Sequence, residues 1–156
     1  MSNTESLLAV DLGLRTGLAL YGRDGRLRWY RSHNFGSRAR LKKGVYTLFR
    51  TTPGITHVVL EGGGDLALLW TKEARRRNYA VQTIDAHRWR NTLLLPREQR
   101  SGALAKAHAD TWARRVIEWS GAAAPTSLRH DAAEAIMIGL WGVCDLGWLA
   151  ELPMLS

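Results

Sequence analysis

Two apolar runs in this chain each end in a single carboxylate with glycine close behind, and that pattern narrows the folds open to it. Leu7-Leu8-Ala9-Val10 leads into Asp11-Leu12-Gly13, and Val58-Val59-Leu60 leads into Glu61 and then Gly62-Gly63-Gly64. Short continuous apolar runs bounded by turn residues read as strands buried on both faces, which belong in the middle of a sheet covered by helices. An acid at the end of such a strand sits where the chain leaves the sheet, and glycine there lets backbone or a ligand come close. Side by side and parallel, the two strands would bring Asp11 and Glu61 to one spot above the sheet edge. Carboxylates that close repel one another unless a proton or a cation lies between them.

Around these strands the pattern predicts a regular order. Ser6 to Asp11, Thr16 to Gly22 and Leu27 to Ser32 read as an antiparallel meander, with Asp24-Gly25 as the hairpin signal. Ser37 to Arg50 has a helical apolar stripe of Leu41, Val45, Leu48 and Phe49. The Glu61 strand comes next, and then a helix capped by Asp65 and running to about Arg77, with Leu66, Leu69, Trp70 and Ala74 inside. Tyr79 to Ile84 is the fifth strand, and Asp85 opens a short basic segment ending at Arg90. A loop over Leu95 to Gly102 leads to a helix over Leu104 to Trp119, packed through Trp112, Val116 and Trp119. After a small-residue linker, Gly121 to Pro125, the last helix starts near Leu128. Three antiparallel strands followed by alternating helices and strands make an α/β chain with a mixed sheet between helices, expected as one domain over residues 1–156.

Charge points to the partner. The chain carries 22 basic residues against 14 acidic ones, a net charge of +8, and 18 of the 22 are arginine. Arginine's planar fork clamps phosphate with two parallel hydrogen bonds, so a polyanion is expected, nucleic acid before anionic membrane. Cys144 is the single cysteine, which excludes an intrachain disulfide and a Cys-rich zinc site and suits a reducing cytoplasm. No signal peptide is legible at the N-terminus. Ile136 to Cys144 is apolar but too short to span a bilayer, so it is expected as a buried helix or a contact between copies. Ile136, Trp141 and Trp148 would suit such an interface.

Four acids sit in apolar or small-residue settings: Asp11, Glu61, Asp131 and Glu134. Asp131 and Glu134 are three apart and share a helix face. Carboxylates in such surroundings need a compensating partner. A converging set with no cysteine cluster calls for a hard cation with oxygen ligands, Mg²⁺ or Mn²⁺, and two such ions can serve phosphodiester cleavage. Metal binding needs ionised acids, so activity is expected to fall below about pH 6.

Val10-Asp11-Leu12-Gly13-Leu14-Arg15-Thr16-Gly17 resembles the first motif of the RuvC-type Holliday-junction resolvases, in the ribonuclease H-like superfamily. Val59-Leu60-Glu61 is similar to that family's strand-four acid, and His130-Asp131-Ala132-Ala133-Glu134-Ala135 to its C-terminal acidic helix, with Glu134 where an Asp is usual. Gly102 to His108 resembles the family's Gly-x-x-x-Lys helix start. The resemblance implies a ribonuclease H-like five-stranded mixed sheet flanked by helices, with strands one and four adjacent. It also implies a Mg²⁺-dependent endonuclease that cleaves four-way (Holliday) DNA junctions by a two-metal-ion mechanism, and a homodimer. Asp11, Glu61, Asp131 and Glu134 would then hold the metals. Lys106 would sit near the scissile phosphate, and His130 would be a ligand, a water-positioning base or an ordinary helix residue. Arg15, Arg38, Lys42, Arg75, Arg76, Arg77, Arg88, Arg90 and Lys106 would contact nucleic acid, and Trp89 could stack on bases, with burial favoured for Trp70. No nucleotide cofactor and no membrane is expected, and the setting would be cytoplasmic or nucleoid-associated. The rival readings are a YqgF-like nuclease acting on RNA, an actin-like ATPase for which the chain is short, and a DNA-binding protein that keeps the fold without the chemistry.

Overall fold

A computed structural model describes residues 4–153. Strands β1 (Ser6–Asp11), β2 (Arg15–Gly22) and β3 (Leu27–Asn34) form the antiparallel meander, and β4 (Ile55–Glu61) and β5 (Ala80–Ile84) run parallel to β1. The sheet order is β3-β2-β1-β4-β5, so β1 and β4 are neighbours at the centre, as the two acid-terminated runs required.

Alternation along the central strands divides the core in two. Leu8, Val10, Leu18 and Leu20 face α1 (Arg38–Thr51) and α2 (Gly64–Arg76), packing on Leu41, Val45, Phe49 and Trp70. Leu7, Ala9, Ala19 and Tyr21 face the other way, against α5 (His130–Asp145), with α4 (Gly102–Ser120) packed beyond it. Between β5 and α4 lie α3 (Ala86–Leu93) and a short 3-10 turn over Pro96–Gln99.

Helix α5 is apolar all round, and a helix of that kind belongs inside. Every residue from Ala132 to Val143 is buried. Gly139 lets it lie on the sheet, because a Cβ there would stand 2.2 Å from the Tyr21 ring. The Tyr21 hydroxyl donates to the Ile136 carbonyl. Ile136 and Trp141 are therefore core residues of the chain itself and are not free to form an interface between copies. Trp148 is half-buried, edge-on to His57 and under the Arg23 guanidinium.

Several boundaries differ from the sequence expectation. Gly63, not Asp65, caps α2, and Asp65 lies in its first turn, where an acid complements the helix dipole. The basic segment after Asp85 is a helix, capped by the Asp85 carboxylate accepting from the Arg88 N–H at 3.0 Å. Ser101 caps α4 in the same way, two residues earlier than the apolar pattern placed the helix start, and α5 begins at His130. No helix among the described residues is long and apolar enough to cross a membrane.

Candidate metal centre

Asp11 and Glu61 are partners in the parallel register of β1 and β4, so their side chains leave the sheet at the same height. Two backbone bonds fix that edge: the Leu12 N–H donates to the Glu61 carbonyl, and the Gly62 N–H donates to the Ile84 carbonyl. Gly62 has φ 124°, a conformation that favours glycine and lets the chain turn away from the acid. The third acid comes from α5. On the other side of Asp11, its β2 partner is Gly17, and a Cβ on Gly17 would lie 1.9 Å from the Asp131 carbonyl oxygen. Glycine at that position lets the first turn of α5 rest on the sheet and carries Glu134 over Asp11. Asp11, Glu61 and Glu134 each bring a carboxylate oxygen within 4.8 Å of the other two.

The electrostatic cost is visible at Asp11. Burial, then the charges of Glu134 and Glu61, a hydrogen bond with Glu61, and the charge of Asp131 push its pKa up to about 8. Two side chains of α3 act on its partners. Trp89 donates its indole N–H to Glu61 Oε1 at 3.4 Å, and Arg90 Nη2 meets Glu134 Oε1 at 3.2 Å. His130 Nε2 reaches the same Glu134 oxygen at 3.3 Å. The Arg90 Nε is buried without a hydrogen-bond partner. Three convergent carboxylates, one of them held protonated by its neighbours, fit a hard divalent cation. All donors are oxygen, and a cation would replace the proton and relieve the repulsion.

Asp131 departs from the expectation of a four-acid set. It is not part of the close group. Its Oδ2 accepts from the Ser32 hydroxyl at 2.9 Å and its Oδ1 from the Ala132 N–H at 2.9 Å, which draws the carboxylate toward β3. It stays close enough for its charge to raise the Asp11 pKa. Arg15, Arg129, His130 and Asp131 line an open cleft of about 370 Å³ beside the acids. Arg129 and Ser32 escaped the sequence reading; an arginine directly before His130-Asp131 was the legible sign of the first, and nothing local marked the second.

The other nominated cations scatter. Arg38 is paired with Asp65, Arg76 and Arg77 with Glu73, and Arg90 turns inward to Glu134. Lys42, Arg75, Arg88 and Lys106 are exposed. Lys106 forms no ion pair among the described residues. Trp89 is fully buried, which removes it as a base-stacking platform, and Trp70 is buried too.

No protein-family model matches the sequence, and no curated protein matches it. Among solved structures, the yeast mitochondrial Holliday junction resolvase Ydc2 is similar in fold, with a TM-score of 0.61 at 11% identity over 95% of this chain and 83% of that one. The catalytic core domain of BIV integrase matches at a TM-score of 0.37 and 12% identity, over 91% of this chain and 82% of that one, below the level at which a shared fold can be argued. The five-stranded sheet with its flanking helices is thus the ribonuclease H-like fold of the resolvase.

Proposed function

We propose that this chain is a divalent-metal-dependent endonuclease that cuts phosphodiester bonds in branched DNA, with the four-way junction as its substrate. One observation carries this: Asp11, Glu61 and Glu134 gather their carboxylates within 4.8 Å at the edge of a resolvase-like sheet in a chain of net charge +8. A structural role alone gives no reason to set Glu61 and Glu134 where they raise the cost of ionising Asp11.

Asp11, Glu61 and Glu134 would hold Mg²⁺ or Mn²⁺. Asp131 would serve a second ion only if it released Ser32. When bound, the cation supplies Lewis acidity toward a phosphodiester. The chain's own residues do the rest. Trp89 and Arg90 keep Glu61 and Glu134 turned toward Asp11. His130, exposed at the mouth of the site, can hold or pass a proton at Nε2. Arg15 and Arg129 attract the phosphate, and Lys106 lies on α4, the helix packed against α5. Symmetric resolution of a junction needs two opposed cuts, so the proposed active form is a homodimer, with its interface elsewhere than Ile136 and Trp141.

The test is cleavage of a synthetic four-way junction beside linear duplex and RNA:DNA hybrid, with Mg²⁺ and with chelator. Metal-dependent cutting of the junction in preference to both controls is expected. Cutting confined to the hybrid, or no cutting of any substrate, would remove the function proposed.

A further inference from the structure

A groove of about 480 Å³ lies between β3 and α1, away from the acids. Arg31 and His33 line one wall and Arg40 and Lys43 the other, with Leu18 and Phe35 among the apolar residues at its base. No acidic residue lines it, and Arg31, Arg40 and Lys43 form no ion pair among the described residues. Arg38, one turn from the groove, differs: it is taken up by Asp65. Arg31 lies over the Trp29 ring at 4.2 Å, and the His33 and Phe35 rings are 4.2 Å apart, so aromatic packing backs the cation on the β3 wall. Gly44 admits Phe35 to this wall, since a Cβ there would stand 2.2 Å from its ring.

The groove begins at the sheet end that carries the metal centre, on the opposite face of the sheet. Asn34 pairs with Arg15 at the end of the sheet where Asp11 lies, and the Phe35 N–H donates to the Leu14 carbonyl in the loop that follows Asp11. Ser32 points to Asp131, while Arg31 on the opposite face of the same strand points into the groove. From Arg40 to Thr51 the α1 wall extends roughly 16 Å, long enough to follow more than one phosphate of a single strand.

We infer that this groove is a second nucleic-acid site, a track for the phosphodiester backbone of a strand leading away from the metal centre. Unpaired cations on both walls match a line of phosphates, and the absence of acids removes any repulsion along it. This inference rests on the nucleic-acid function proposed above and adds a surface to it.

The experiment measures binding of a fluorescein-labelled four-way junction in EDTA across a salt series. Arg40→Ala/Lys43→Ala is compared with Arg114→Ala/Arg115→Ala, an equal loss of charge on α4 across the sheet. The groove variant is expected to lose about tenfold in affinity and to flatten the log K against log salt slope by about 2, while the α4 variant stays within about twofold of wild type. Arg40, Lys43 and Arg114 are exposed and Arg115 is part-buried over Trp112, all on long helices, and unchanged far-UV circular dichroism verifies the fold. Equal losses in the two variants, or none in the groove variant while wild type binds, would overturn the track alone. A wild-type chain that binds no junction would overturn both the track and the function it rests on.

Discussion

Trp89 and Arg90, consecutive on α3, each engage a different carboxylate of the acidic group, Glu61 through the indole N–H and Glu134 through the guanidinium. A helix of eight residues, in which Trp89 alone is buried, thus holds two of the three acids in place, and Asp11, set by β1 alone, is the member whose own charge is least compensated.

Asp11→Asn should therefore abolish metal-dependent cleavage and leave junction binding near wild type. The substitution keeps the shape and removes the carboxyl group, and with it the metal ligand, that the other acids face. Loss of several kcal/mol of transition-state stabilisation corresponds to a rate reduction on the order of a thousandfold. Cleavage and binding measured on the same labelled junction separate the two effects. A variant that cuts at the wild-type rate would show that the three carboxylates are not the catalytic metal site.

The same residue sets a pH dependence. In the folded chain the Asp11 carboxyl is raised from 3.8 to about 8, by burial first and then by Glu134 and Glu61. Between those values the folded chain keeps a proton that the unfolded chain has lost, so the stability of the metal-free protein falls as pH rises through that window. Melting temperature in EDTA should drop between pH 5 and pH 8, and the drop should shrink in Asp11→Asn. Mn²⁺ competes with the proton, so its stabilising effect should be larger at pH 8 than at pH 5, and metal loading should weaken below about pH 8 rather than below about pH 6. Parallel pH profiles for wild type and Asp11→Asn would refute this assignment.

What the sequence disclosed follows from which interactions are local. β1 and β4 were legible because apolar runs ending in an acid and a glycine carry their own boundaries, and the Asp24-Gly25 turn specified the meander. Helical periodicity placed Asp131 and Glu134 on one face of α5, and both do lie toward the site. Periodicity could not show that Ser32, 99 residues earlier, would hydrogen-bond Asp131 away from the other acids. Trp89 and Arg90 looked like surface residues because their neighbours His87 and Arg88 are polar; the Asp85 cap that starts α3 is local, but the direction in which that helix turns is set by packing on α5. Arg40 and Lys43 were visible as cations off the apolar stripe, yet only β3 lying opposite makes a groove of them.

Gly17→Ala probes the close approach of α5. A Cβ at that position would overlap the Asp131 carbonyl oxygen, and both partners are backbone, so neither can rotate aside. The helix must lift, taking Glu134 with it. Overpacking of this kind costs about 3 kcal/mol or more, which lowers Tm by roughly 6–12 °C for a chain of this size. Mn²⁺ should recover little of it, because the third carboxylate is displaced. A melting temperature within about 2 °C of wild type would mean that α5 does not bear on β2 here.

Arg90→Ala tests whether the guanidinium is the counter-charge that allows three acids to share one spot without metal. Glu134 is 6% exposed, and its Oε1 is met by Arg90 and by His130. Removing Arg90 leaves His130 as the remaining cationic neighbour of that oxygen, and His130 is exposed and charged only when protonated. Breaking a buried pair costs about 3–5 kcal/mol when nothing replaces it. With Arg90 part-exposed, about 2 kcal/mol is the expected loss. A bound divalent cation does the same job for the carboxylate, so saturating Mn²⁺ should restore most of the variant's stability and add more to it than to wild type. Arg90→Lys keeps the charge but not the planar fork and should fall between the two. Thermal melts of the three proteins with EDTA and with Mn²⁺ decide the matter: if Arg90→Ala melts with wild type in EDTA, or if Mn²⁺ raises both equally, Arg90 does not balance the acids and its burial must be explained by packing on Trp89 alone.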